Sequence, residues 1–347
     1  MAASRLSSFR ATPPIHVRGG AAKTPTGLTP AQMRAAYNLP TSGGHGTVAV
    51  VIAFDHPAAE KDLNVFSRQF GLPPCTVKNG CFERHKMSAA IKTNASWSLE
   101  AALDTQWAHA IAPDAKILLV EAPSGKGADL LSAVDYARRR QDVVAVSMSW
   151  GGAEFAGEAD LDGHFTSDRG VTFFASSGDD GTGVSWPAAS MNVVGVGGTT
   201  LTFTKSGSFY RETAWSGSGG GVSAYEPQPA YQVAYNIKKA KGMRAVPDVS
   251  FNADPQSGNA VYSSAKGKGG WYVLGGTSAG APQWAAIKAL GLTAGNDNFY
   301  ADKASAGSTR YFRDILSGTN GDCGYFCTAR RHYDYVTGLG SPLGTTF

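Results

Sequence analysis

Before Asp55 the chain has no acidic residue at all, while the same stretch carries Arg5, Arg10, Arg18, Lys23 and Arg34. Charge is sparse throughout: Asp, Glu, Lys and Arg make up 17% of the 347 residues, and the formal net charge of +4 comes from that first segment. The remainder holds 26 basic and 27 acidic residues and is close to neutral. A nucleic-acid binder would show clustered basic side chains with a reading motif, and neither is present. No apolar run is long enough to cross a membrane. Residues 1–27, made of Ser, Ala, Pro and Gly with little apolar content, have no signal-peptide core and read as a flexible arm. There are only four cysteines, and none stands at a metal-type spacing from a histidine. No internal repeat appears.

What is present is a large apolar content, 42% of the chain, enough to bury a sizeable core. No linker-like break follows residue 47, so residues 28–347 read as one domain. Strand-like runs at Val48–Phe54, Lys116–Val120, Val143–Ser147, Val171–Ser176 and Val193–Val196 alternate with helical patterns at 95–112 and Ala128–Arg140. That alternation predicts an α/β fold, a mostly parallel central sheet with helices on both faces. Ligands of such sheets bind at the carboxyl ends of the strands.

The string Gly275–Trp284, GGTSAGAPQW, has the make-up of a nucleophile loop. Its glycines permit close backbone approach, Ser278 offers a small hydroxyl near a helix start, and the free N–H groups there favour an oxyanion. Pro282 falls in the first turn, where its missing N–H costs nothing. A serine-capped Gly-rich turn is the alternative for a shorter string.

Residues 95–112, ASWSLEAALDTQWAHAIA, place Glu100 and Asp104 one helical turn apart on one face. Two acids at that spacing repel, so a pair in an otherwise apolar helix suggests use, with a solvated acidic face as the alternative. A buried-strand pattern ending at Ser176 breaks at Ser177-Gly178-Asp179-Asp180-Gly181, which is a plain Gly-Asp turn or a strand-end acid.

Taken in order, these motifs resemble the sedolisin (serine-carboxyl peptidase) family of the subtilisin-like clan, from about Leu28 to Pro342. The Glu-x-x-x-Asp pair followed by Trp107, the Gly-Asp turn and the Gly-Thr-Ser loop carry the resemblance. VSMSWGG (Val146–Gly152), SGSGGGVSAYEPQPAYQ (Ser216–Gln232), VPDVSFNAD (Val246–Asp254) and YDYVTGLGSP (Tyr333–Pro342) extend it. A subtilisin would need a histidine some thirty residues after the strand-end Asp55. The only His-Gly-Thr, at His45, precedes that residue, and His85 has no glycine beside it.

The resemblance implies an acid-active serine-type endopeptidase, with tripeptidyl-peptidase action open. Ser278 is then the nucleophile, Glu100 and Asp104 the base pair, and protonated Asp179 the oxyanion donor. Ser149, Trp150 and Gly151 would align a protein or peptide substrate as an added strand. An auxiliary acid would fall near Ala53 or Asp55. The rival readings are a histidine-dependent subtilisin-like hydrolase and a catalytically idle binding homologue.

The family's calcium ligands map onto the carboxylates of Asp314 and Asp334 and the carbonyls of Ile315, Arg330 and His332, implying one Ca²⁺ ion. Arg330 and His332 stand where the family has glycines, so an Arg paired with either Asp could replace the metal. Cys75/Cys81 and Cys323/Cys327 read as two small disulfide loops of a secreted protein, with reduced thiols as the alternative. Sedolisins are made with an N-terminal prodomain, so this sequence is expected to be a mature chain or fragment, or a member that folds without one. It is expected to be a monomer with no membrane or nucleic-acid partner.

Overall fold

The computed structural model describes residues 2–265, 269–292, 295–306 and 312–344. Its core is one twisted sheet built from β2 (Thr47–Ala53), β3 (Phe82–Lys86), β4 (Lys116–Ala122), β5 (Val143–Met148), β6 (Thr172–Ser176), β7 (Val193–Phe203), β8 (Phe209–Ala214) and β9 (Val249–Asn252). The strand order is β8-β7-β6-β5-β2-β4-β3, with β9 pairing the middle of β7. Every pairing is parallel except β8 with β7. The expected strands all appear. β7 runs past Val196 because its partner changes along its length, from β6 to β9 and then to β8. That succession of partners holds Gly197 and Gly198, which have little strand propensity of their own.

Strands β2, β4 and β5 are buried almost end to end, the run of Val, Ile and Leu expected of a parallel sheet covered on both faces. Helices α4 (Ala95–Ile111) and α6 (Gly280–Ala289) pack on each other and on these strands, and α5 (Gly127–Arg139) packs on β2, β4 and β5 as their crossover. Shorter α2 (Pro30–Tyr37) and α3 (Ala59–Phe70) back onto α4. α4 is capped by Asn94, whose side chain accepts from the Ser96 and Trp97 N–H groups. From Trp97 to Ile111 every residue of α4 is buried. It is a central helix, apolar nearly all round, and its two acids are therefore conspicuous.

The first residues are not the loose arm their composition suggested. Ala2–Ser8 forms helix α1, Phe9 and Ala11 are buried, and His16–Ala22 forms β1. β1 pairs antiparallel with β11 (Gly270–Gly275), which also pairs β10 (Asn259–Ser263). The strand itself is exposed and needs no apolar periodicity, because backbone hydrogen bonds to an edge strand hold it. No helix among the described residues is long and apolar enough to cross a membrane.

Candidate active site

Three strand ends and one helix converge. Ser278 follows β11 in a single 3₁₀ turn, Thr277–Ala279, that leads directly into α6. Gly276 takes φ 116°, and a Cβ there would lie 2.1 Å from the Pro14 carbonyl oxygen and 2.5 Å from Asp179 Oδ2. The loop glycine is thus a requirement of close approach. Ser278 Oγ donates to Glu100 Oε2 at 3.0 Å.

Glu100 and Asp104, one turn apart on α4, are both fully buried. Burial, and then the neighbouring Asp104, hold the Glu100 carboxyl well above the usual range. Burial likewise pushes Asp104 up to about 8. Among the described residues Glu100 Oε1 and Asp104 Oδ2 are buried oxygens with no hydrogen-bond partner, and the two carboxyls are close enough to shift one another. A single proton shared between those oxygens satisfies both.

Asp179 follows β6 in the turn at Gly178, which has φ 110°. Its Oδ1 accepts from the Thr277 N–H at 2.7 Å and the Thr277 hydroxyl at 2.8 Å. Among the described residues no aligned hydrogen bond reaches Oδ2, and His16 Nε2 stands 3.2 Å from it as an ion pair. Burial raises the Asp179 carboxyl against the opposing pull of His16 and Thr277. His16 is raised in turn, chiefly by its close contact with Asp179.

The Ser149-Trp150-Gly151 segment leaves β5 in two roles. Ser149 points inward, its Oγ 2.8 Å from Asp104 Oδ1 and 3.1 Å from the Ser278 carbonyl. Trp150 is fully buried and donates its indole N–H to the Val51 carbonyl at 3.0 Å. Gly151 alone presents backbone to the cleft, and the chain's own Thr12 takes it up, in both directions, at 3.0 and 3.2 Å. Arg10 bridges Lys126 antiparallel on the other side. Residues 10–12 therefore lie as an extended strand between two edges. The next four run on to Pro14 against Gly276 and His16 against Asp179. A cavity of about 410 Å³ remains here, lined by Thr12–His16, Gly151–Ala153, Ser176–Ser185 and Gly219. With this segment in place Ser278 is completely covered.

Sequence reasoning had no signal for His16, for Thr277 as the holder of Asp179, or for the Ser149 hydroxyl. Near the first strand, Ala53 is buried and Asp55 pairs with Lys86 at 3.0 Å and Arg84 at 3.5 Å. The buried acid beside Asp55 is Glu121, at the end of β4, raised to about 7 by burial and accepting from the His56 N–H. Of the two histidines weighed as bases, His45 is exposed and His85 stacks on Tyr136 at 3.7 Å.

At the C-terminal end Asp314 Oδ2 accepts from the His332 N–H at 2.9 Å and Asp334 Oδ2 from the Arg330 N–H at 3.1 Å. Both carboxylates thus converge on one short loop. The Arg330 guanidinium turns away, to the Thr328 carbonyl and the Tyr325 ring. Among the described residues no cationic side chain pairs with Asp334. The two carboxylates are hard-oxygen groups of the kind Ca²⁺ takes, and each accepts a backbone N–H of the same loop. Cys75–Cys81 and Cys323–Cys327 are disulfide-bonded.

The model of the subtilase family matches residues 82–319. Sedolisin of Pseudomonas sp. (strain 101) is 34% identical over 241 residues, 57% of this chain and 39% of that protein. Kumamolisin of Bacillus sp. (strain MN-32) is 32% identical over 358 residues, 92% of this chain and 63% of its own. The chain therefore spans less than two thirds of the length of these curated relatives. Among solved structures, Pseudomonas sedolisin, a serine-carboxyl proteinase complexed with two molecules of pseudo-iodotyrostatin, superposes with a TM-score of 0.76 at 27% identity, covering 92% of this chain and 96% of that one. A psychrophilic protease, S41, shares the fold at TM-score 0.58 and 20% identity, covering 93% of this chain and 99% of that one.

Proposed function

Because the chain belongs to the subtilase family, and within it to the sedolisin type, we propose that it is a serine-carboxyl peptidase acting on proteins or peptides in acid. The observation that carries the reading is the 3.0 Å hydrogen bond from the Ser278 hydroxyl to Glu100 in a site with no histidine base. Ser278 attacks the scissile carbonyl. Glu100 takes its proton on Oε2 and later returns it to the leaving amine. Asp104 holds the shared proton against Glu100 Oε1, so the pair passes from monoanion to neutral and back. Asp179, protonated on Oδ2, donates to the oxyanion, and the Ser278 N–H is its partner there. An ionised Asp179 has no proton to give.

The substrate replaces residues 10–16 and adds as a strand to Gly151. Secretion is part of the proposal, supported by the two disulfides. Calcium is also part of it. Asp314 and Asp334, with the carbonyls of Ile315, Arg330 and His332, would hold one ion, which when bound supplies a fixed positive charge that ties the C-terminal loop.

The test is hydrolysis of a denatured protein across pH by the wild type, by Ser278→Ala and by variants lacking each histidine in turn. Acid activity that needs Ser278 and no histidine supports the reading. An enzyme silenced by loss of one histidine while Glu100→Gln stays active overturns it.

A further inference from the structure

Ser149 was expected to help align substrate, yet its side chain is turned away from the cleft and is fully buried. Its hydroxyl has one hydrogen and two acceptors in reach, Asp104 Oδ1 at 2.8 Å and the Ser278 carbonyl at 3.1 Å. We propose that Ser149 is a positioning residue that sets the proton affinity of the Glu100–Asp104 pair through its hydrogen bond to Asp104. This rests on the serine-carboxyl mechanism above.

The oxygen inventory drives the argument. The pair has four carboxyl oxygens. Glu100 Oε2 takes the Ser278 hydroxyl, and Glu100 Oε1 and Asp104 Oδ2 have no hydrogen-bond partner among the described residues, which leaves them as the oxygens to share the pair's one proton. Asp104 Oδ1 is left, and Ser149 is the hydrogen bond recorded to it. A donor to a carboxylate favours its charged form. Ser149 therefore stabilises the monoanion, the state in which the pair can act as a base. Its weaker second acceptor is the carbonyl of the nucleophile's own residue. One hydroxyl thus ties the strand end after β5 to both halves of the proton-transfer unit.

Other charged groups near the pair leave this role to Ser149. Asp179, in the turn after β6, acts on Glu100 as a like charge and raises it. Arg34 on α2 is bound to the Ala110 carbonyl, Asp62 on α3 to Ser264, and Glu121 on β4 to the His56 N–H. Lys288 is at the far end of α6.

The experiment compares wild type, Ser149→Ala, Ser149→Cys and Ser149→Thr. Cysteine keeps the volume with a feeble donor, and threonine keeps the donor. With a short peptide substrate, removing the donor should lower kcat and leave KM unchanged. It should also move the acid limb of the kcat/KM profile upward by about one pH unit, the size of one lost charge-assisted hydrogen bond. Threonine should restore the limb. A fall in kcat with an unmoved acid limb in both Ala and Cys variants would overturn the proposal, since that is what loss of packing alone produces. The same comparison is made by infrared titration of the buried carboxyls on a Ser278→Ala background, where no turnover is needed. An upward shift there supports the role of Ser149 even if the wild type hydrolyses nothing, and an unchanged titration overturns it even if the peptidase reading stands.

Discussion

Asp179 is fixed to Thr277 through one oxygen only: Oδ1 takes both the backbone N–H and the hydroxyl of the residue before the nucleophile, at 2.7 and 2.8 Å. The other oxygen is thereby aimed at the cleft. Only a proton on that oxygen makes Asp179 a donor, and burial favours that protonated form. Activity should therefore be lost as pH rises through the raised Asp179 value and the acid ionises. Burial holds Asp104 at about 8 with the cleft covered, so acid activity requires that value to fall when residues 10–16 leave. On the acid side activity should be lost where the opened Glu100–Asp104 pair takes up its second proton. The expected profile is a bell on the acid side of neutrality, fading towards pH 7, where a histidine base would be gaining strength. Asp179→Asn, which donates an amide N–H at any pH, should lower the maximum and remove the alkaline fall. A wild-type optimum at or above about pH 7 would rule out the carboxyl base.

Ser278→Ala should reduce peptide hydrolysis by at least about a thousandfold, the scale seen when a serine hydrolase loses its nucleophile. Only one hydroxyl is removed and the loop keeps its glycines, so the melting temperature should change little. Matched assays and melting curves check both halves. Residual activity within about tenfold of wild type would remove Ser278 from the mechanism.

Stability should fall as pH rises, through a different set of acids. Glu158 is raised to about 9 and Glu226 to about 8, mainly by burial, with Glu154 and Asp162 as the nearby like charges. Among the described residues Glu158 Oε1 and both Glu226 oxygens have no hydrogen-bond partner. In strong acid these groups are protonated folded and unfolded alike, so they contribute no difference. Above the ordinary carboxyl value the unfolded chain ionises and the folded one does not, so the native state binds more protons and loses stability until about pH 9. Melting temperatures from pH 4 to 9 should decline, and Glu158→Gln should flatten the decline. A slope that Glu158→Gln leaves untouched would place the effect elsewhere.

Calcium held as proposed at Asp314 and Asp334 would stabilise only the folded chain, by about 2.7 kcal/mol at a hundredfold excess over Kd. Excess chelator should therefore lower the melting temperature, and Asp334→Asn should remove the response. Elemental analysis that finds no metal, with one melting curve in chelator and in calcium, would point to a loop held by its own N–H donors.

The parts legible in the sequence are those fixed by local period and spacing. The covered strands announce themselves as unbroken Val, Ile and Leu runs. Glu100 and Asp104 fall on one face because a helix turns every 3.6 residues. The serine loop is read from consecutive small residues. The parts that were not legible depend on partners distant in the chain. β1 is exposed and patternless, and exists only because β11 offers it an edge. Ser149 reads as the start of a substrate strand, and only the packing of β5 against α6 turns its hydroxyl to Asp104. Glu121 hides in an apolar strand, and His16 in a segment of turn-forming residues.

The strand formed by residues 10–12 has a kinetic consequence. A segment tethered to the surface it covers competes at an effective concentration on the order of millimolar, whatever the dilution of the protein. Any substrate strand must displace it before reaching Ser278, so the apparent KM of the full chain exceeds that of a chain starting after His16. Dilution cannot relieve such competition, and the delay before full rate is independent of protein concentration. Activity in acid requires that displacement also admit water to Glu100 and Asp104, easing the burial that holds their protons. Clearing the cleft and readying the base are then one event.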